Sequence, residues 1–362
     1  MTTSQPDPLE PQPPLGMAVV GVGFMGELHA RVVAELPQTR LVAVADVRED
    51  RAREVAERYG AEVWTTDHAS LMDDERIEAV SVCTSDHMHT APAVDALESG
   101  RHVLLEKPIA STVEDADAII ASAAAAERTL LVGHIYRFEV HYVKLRQAVE
   151  SGHIGTPMSL YSRQSTIIDD AMTVAGRVGP SFYISVHSFD MMSWYLDQSP
   201  VSIYSVPVEG EIFERFGVPD GIWSLVRFDG GAVGCDEAFW NLASPLGNWR
   251  TPADWGVFFS TAECRAELIG TRGSAYVEYP PTVCRLLDAE GWKFAETKIA
   301  PIVYGRVGGA LRQEVEHFVA CARGQEEPVT DLASARQAVE LAVAAERSID
   351  AGRPVTLPLA AN

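Results

Sequence analysis

The sequence predicts an α/β domain built on a doubly wound parallel sheet, followed by an α+β domain with a mainly antiparallel sheet. Three observations carry that expectation. The 362 residues exceed the roughly 250–300 at which a single hydrophobic core stops growing, so two domains are expected. From Met17 to His134 short apolar runs alternate with helical stretches, as in parallel strands joined by crossover helices. Beyond Val201, strand-like runs follow one another through tight turns, as in an antiparallel sheet.

The runs of the first half are Met17–Gly21, Arg40–Asp46, Glu62–Trp64, Ala79–Cys83, His102–Glu106 and Leu130–His134. Their helices are punctuated: Gly60 follows Arg53–Tyr59, Gly100 follows Ala93–Ser99, and Ser111 or Thr112 heads the stretch leading into Ala116–Ala126. After His134 a helix from about His141 to Glu150 is stopped by Gly152, and Met158–Gln164 reads as the first strand of a new sheet. Strands Val201–Val208, Trp223–Phe228, Ala232–Phe239, Arg265–Ile269, Ala275–Glu278 and Arg285–Asp288 continue it. Two closing helices, Leu311–Ala322 and Leu332–Asp350, carry apolar faces expected to cover that sheet. The divisions expected are a disordered Pro-rich tail at 1–16, a nucleotide-binding domain at 17–135 and a second domain, for substrate and oligomerisation, at 136–362.

Composition narrows the partners. No apolar run approaches the about 20 residues a membrane helix needs, and the Pro-rich start lacks the basic and apolar regions of a signal peptide. The net charge of −22, from 29 basic and 51 acidic residues, works against a nucleic-acid backbone or an anionic membrane. The five cysteines are odd in number and scattered, suggesting neither a disulfide framework nor a zinc knuckle, so a reducing cytoplasm is expected.

Chemistry begins at Gly21-Val22-Gly23-Phe24-Met25-Gly26, which follows an apolar run and opens a helical stretch. A strand feeding a glycine turn and then a helix aims backbone N–H groups and the positive end of the helix dipole at one point, which suits a pyrophosphate. Asp46 ends the next strand-like run twenty residues beyond Gly26, where a carboxylate can bind an adenosine ribose. It favours NAD over NADP because it repels a 2′-phosphate, and Arg48 nearby softens that preference. Glu106-Lys107-Pro108 closes the fifth run, at the strand ends that border the ligand crevice. A lysine there can hydrogen-bond a reacting hydroxyl and exchange a proton with it.

Taken in order, Gly21–Gly26, Cys83-Thr84-Ser85-Asp86-His87-Met88-His89, Glu106-Lys107-Pro108, Gly133–Phe138 and His187-Ser188-Phe189-Asp190 resemble the successive motifs of the glucose-fructose oxidoreductase/inositol dehydrogenase family (Gfo/Idh/MocA). The resemblance covers nearly all of the chain after about residue 16. It implies an N-terminal Rossmann domain, a C-terminal domain with an open antiparallel sheet, a homodimer or homotetramer, and NAD(P)-dependent oxidation or reduction of a sugar, cyclitol or related polyol. Carried over, it puts the dinucleotide at Gly21, Gly23, Phe24, Met25, Gly26, Asp46, Arg48, Thr84, His89, Glu106 and Lys107. It makes His187 the group that accepts the hydroxyl proton, with Asp190 on the same helical face able to orient its ring or cap a turn.

One departure stands out. Relatives resembling inositol dehydrogenase have an aspartate four residues before the histidine, and this chain has Tyr183, which offers a neutral hydrogen-bond partner instead of a carboxylate. Substrate contacts are expected from Lys107, Tyr136, Arg137, Arg163, Tyr183, His187 and Trp249, aromatics stacking on a ring and polar groups binding hydroxyls. A dinucleotide-binding sensor without catalysis is the rival reading. His87 and His89 beside Asp86 have a zinc-like spacing but lack a clear third and fourth partner, so no metal site is expected.

Overall fold

The structure is a computed structural model, and it describes residues 12–242, 263–279, 285–288, 291–294 and 297–360. Strand β1 (Leu15–Val20) starts ahead of the expected Met17, because Leu15 is buried and its N–H donates to Gln38 O at 2.8 Å. It is followed by α1 (Phe24–Glu35), β2 (Thr39–Ala45), α2 (Glu49–Tyr59), β3 (Val63–Thr65), β4 (Ala79–Val82), α3 (Thr90–Glu98), β5 (His102–Glu106), α4 (Val113–Ala126) and β6 (Leu130–Gly133). The parallel sheet runs β3-β2-β1-β4-β5-β6, a doubly wound order whose reversal lies between β1 and β4, above the glycine turn. Its central strands are mostly apolar because helices cover both faces, the buried Ser81 of β4 being an exception. Thr112 caps α4 as expected, its hydroxyl accepting Asp115 N–H at 3.1 Å.

The second half adds α5 (Val140–Glu150), β7 (Pro157–Ile167), α6 (Ile168–Val174), α7 (Val186–Leu196), β8 (Pro200–Val208), α8 (Glu211–Phe216), β9 (Gly221–Phe228), β10 (Val233–Leu242), β11 (Glu263–Gly270) and β12 (Ser274–Tyr279). After the hairpins β13 (Arg285–Asp288) with β14 (Gly291–Phe294) and β15 (Ile302–Val303) with β16 (Arg306–Val307), the chain closes through α9 (Gly309–Ala322), α10 (Leu332–Ala351) and β17 (Val355–Thr356). The large sheet runs β12-β11-β7-β10-β9-β8-β17. It is antiparallel apart from β7 with β10, a parallel pair that the run of hairpin-like turns did not reveal.

On β7 the alternation of strand side chains buries Leu160, Ser162 and Gln164 on an inner face, against α7, and turns Tyr161 and Arg163 to the outer one. Helix α10 packs on α7 and β8, but α9 goes elsewhere. Its Leu311, Val315 and Phe318 share a core with Val19, Val33 and Leu104 of the parallel domain. The expectation that both closing helices cover the second sheet therefore holds for α10 alone. An apolar helix face demands a partner without saying which. Among the described residues no helix is long and apolar enough to cross a membrane, and Cys83, Cys235, Cys264 and Cys321 are free thiols.

Candidate active site

The glycine turn is shaped for a close ligand. Gly21 has φ +82°, and a Cβ on it would lie 2.7 Å from the Thr84 backbone; a Cβ on Gly26 would lie 1.8 Å from Gly21 O. Those two positions let α1 pack tightly on the strands. A Cβ on Gly23 would meet nothing within 4 Å, and Gly23 heads α1 without a side-chain cap. The start of α1 thus has no side-chain cap and open space beside Gly23, which fits a pyrophosphate. Phe24 is exposed and Met25 partly buried at the start of the same helix. Asp46 is tied down beside the turn, accepting the N–H groups of Val22 and Arg48, each at 3.0 Å. Arg48 itself is exposed, its Nε 3.7 Å from Asp46.

Beside the glycine turn, Thr84 Oγ1 donates to Met88 O at 3.1 Å. His89 departs from its expected role. It is 1% exposed, with Nδ1 2.7 Å from Pro108 O and Nε2 3.1 Å from Thr84 O, so the ring is wedged between two backbone carbonyls, to one of which its single neutral-form N–H donates. Burial lowers its pKa despite those two carbonyls.

Glu106 accepts the N–H of Lys107 at 3.1 Å and faces His29 Nε2 at 3.2 Å. The ammonium of Lys107 donates to the backbone carbonyl of Tyr183 at 3.0 Å and lies 5.0 Å from the centre of the Tyr183 ring. Tyr183 therefore meets the lysine through its carbonyl and ring face. It sits in a π-helical turn, Ser181–Ser185, that runs directly into α7, an irregularity that often marks functional sites. One helical turn on, the His187 ring lies 4.8 Å from that of Tyr136, and its Nδ1 has no hydrogen-bond partner among the described residues. Burial, then Lys107 and His134, push the His187 pKa well below its usual value and keep the ring neutral. Burial also lowers the Lys107 pKa, with Glu106 and Asp86 pulling it back up.

Two of the expected substrate residues lie elsewhere. Arg137 is buried, and its guanidinium donates to both Asp190 oxygens at 3.0 and 2.7 Å, to Val329 O at 2.7 Å and to Ser334 Oγ at 2.8 Å. That leaves one of its five N–H groups, and Asp190 is committed to the arginine rather than to His187. Arg163 points away from α7, toward Glu237 and Glu263 on the outer face. Its neighbour Gln164 is the one facing inward, with Nε2 3.2 Å from Ser188 Oγ and Oε1 3.4 Å from the Tyr136 hydroxyl. Trp249 lies outside the described residues.

Two buried acids escaped the sequence reading. Asp236 lies against the Ser185–Ser188 turn, where burial lifts its pKa to about 7 against the pull of both serines. Glu314 lies behind Glu106. Both carried a signal: Asp236 shares the inward parity of Ala238 and Trp240, and Glu314 interrupts the apolar stripe Leu311, Val315, Phe318.

Residues 15–134 match the GFO_IDH_MocA profile, described as oxidoreductase family, NAD-binding Rossmann fold, and residues 142–276 match the GFO/IDH/MocA C-terminal domain. The chain is similar to the scyllo-inositol 2-dehydrogenase (NAD(+)) of Bacillus subtilis, 28% identical over 347 residues that cover 94% of this chain and 95% of that protein. It is 30% identical to an inositol 2-dehydrogenase of Rubrobacter xylanophilus over 275 residues, covering 74% and 72% respectively. Among solved structures, a probable dehydrogenase from Thermotoga maritima matches with a TM-score of 0.75 at 25% identity, over 95% of this chain and 99% of that one.

Proposed function

The chain belongs to the Gfo/Idh/MocA oxidoreductase family, and from that premise we propose that it interconverts a secondary alcohol and a ketone on a cyclitol, sugar or related polyol, with Lys107 and His187 handling the hydroxyl proton. It is an NAD-dependent dehydrogenase acting on CH–OH groups, and its inositol dehydrogenase relatives favour a cyclitol. The observation that carries the proton assignment is the hydrogen bond from Lys107 to Tyr183 O, which ties the end of β5 to the turn preceding His187.

The fit to the dinucleotide rests on the space beyond Gly23 and the uncapped start of α1. Gly21, Gly23, Phe24, Met25 and Gly26 would hold the pyrophosphate, Asp46 with Arg48 beside it the adenosine ribose, and Thr84, Glu106 and Lys107 the nicotinamide end. When bound, NAD supplies the hydride acceptor. His187, kept neutral by its surroundings, takes the hydroxyl proton at a ring nitrogen, and its depressed pKa keeps that base available below its ordinary range near pH 6.5. The Lys107 ammonium, fixed by Tyr183 O, donates a hydrogen bond to the reacting oxygen and steadies the charge that develops there. Tyr136, stacked on Tyr142 at 4.5 Å, gives the polyol ring an apolar wall.

Incubating the protein with NAD and a panel headed by myo- and scyllo-inositol, and following the absorbance of NADH, tests this reading; turnover of at least one cyclitol, sugar or polyol is expected. Binding of NADH without turnover of any of them would favour the sensor, which has less support because the lysine and histidine are both assembled. The outer sheet face, with Tyr204, Val206, Trp223, Leu225 and Tyr276 exposed, supports a homodimer or homotetramer in which a second copy covers it. Gel filtration with light scattering is expected to return a multiple of 39.4 kDa; a monomer at micromolar concentration excludes that assembly. The free thiols support a reducing, cytoplasmic location.

A further inference from the structure

Three elements meet behind Lys107. From α1, His29 is fully buried, with Nδ1 2.9 Å from Ser81 Oγ and Nε2 facing Glu106 of β5. From α9 comes Glu314, also fully buried, with no hydrogen-bond partner for either carboxyl oxygen among the described residues. One nitrogen or oxygen from each of His29, Glu106 and Glu314 lies within 4.8 Å of the others. Gly133 of β6, paired with Glu106, leaves room for this: a Cβ there would stand 3.2 Å from Glu314 Oε1.

Two carboxylates this close in a buried site cannot both ionise cheaply, so one holds a proton. Glu106 has the better claim to the negative charge, since it contacts His29 and adjoins Lys107. The other groups facing the cluster, Ser81 and Cys83 of β4 and its margin, offer no cation to Glu314. We infer that Glu314 is a positioning residue, a neutral carboxyl buried behind Glu106 that keeps Glu106 the one anion of the cluster and so sets the charge that Lys107 meets. Burial, then Glu106, lift the Glu314 pKa to about 8, against the pull of His29. For His29 burial opposes protonation, yet Cys83 and Glu106 raise its pKa well above the usual value.

The role assigned toward Lys107 rests on the dehydrogenase reading; the proton on Glu314 does not, and the two are tested apart. Thermal midpoints of the full chain, Glu314→Gln and Glu314→Met are compared from about pH 5 to pH 9. A folded pKa raised from 4.5 to about 8 means that the folded state keeps a proton the unfolded chain releases. The stability this contributes is full below about pH 4.5, is lost as pH rises through about 8, and is constant beyond. The wild type should therefore lose ground to Glu314→Gln up to about pH 8 and then hold a constant gap. In kcat/KM the alkaline limb should keep its place in Glu314→Gln, which leaves a neutral polar group behind Glu106 and Glu106 the charge that Lys107 meets, and should move in Glu314→Met, which removes that group. A gap independent of pH overturns the neutral carboxyl. So does a stoichiometric divalent cation in the purified protein, or the failure of both variants to fold, since either means the site needs the charge. A pH-dependent gap with a limb that stays in place in Glu314→Met, or that moves in Glu314→Gln, overturns the positioning role, whereas absence of turnover in every variant is the failure of the dehydrogenase reading.

Discussion

Replacing Lys107 with alanine is expected to lower kcat about 10²–10⁴-fold while NADH binding changes only a few-fold, a loss of about 3–5 kcal/mol of transition-state stabilisation. The asymmetry follows from where the side chain ends. The glycine turn and Asp46, which would hold most of the dinucleotide, are held by contacts that make no use of Lys107. The ammonium instead lies against Tyr183 O and the Tyr183 ring, at the end of the cleft shared with α7. Lys107→Arg should rescue little, because a planar fork cannot occupy the point position of an ammonium at 3.0 Å from one carbonyl. Fluorescence titration with NADH and initial rates at saturating substrate separate the two effects. Turnover that survives Lys107→Ala would remove the lysine from the mechanism, and equal losses in binding and rate would make it a cofactor anchor.

Much of the scaffold was legible because parallel strands buried on both faces must be apolar, and because glycine at positions 21 and 26 is required by backbone approach rather than preference. What the sequence concealed was direction. Arg163 and Gln164 are adjacent, and only the register of β7 decides that Gln164 meets Ser188 while Arg163 faces outward. Arg137 matched a motif, yet its commitment was set by Asp190, fifty-three residues later and invisible to spacing. His89 was legible as a turn residue, but the carbonyls that flank its two nitrogens come from two different loops.

The Arg137–Asp190 pair carries the second large effect, on stability. Both groups are buried, the contact is bidentate, and the guanidinium also lies 5.3 Å from the Trp194 ring centre. Asp190→Ala strands a buried arginine whose remaining partners, Val329 O and Ser334 Oγ, carry no charge, at an expected cost of about 3–5 kcal/mol. The penalty belongs to the orphaned charge, so the double variant Arg137→Met/Asp190→Leu should recover most of it, a non-additivity that a double-mutant cycle measures in urea. The pH dependence has a definite sign. Burial alone would raise the Asp190 pKa, but His134 and Arg137 outweigh it and hold it below the ordinary 3.8. The carboxylate's contribution is thus present above about pH 4 and is lost as pH falls through the lower folded value. Wild type and Asp190→Ala should accordingly differ by a constant amount between about pH 5 and pH 8 and converge only in acid. Because Asp190 is one turn from His187 on α7, kcat/KM should fall as well in the single variant and return in the double one. An Asp190→Ala midpoint within about 0.5 kcal/mol of wild type would show that the pair does not anchor α7, and would free Arg137 for the substrate contact its motif suggests.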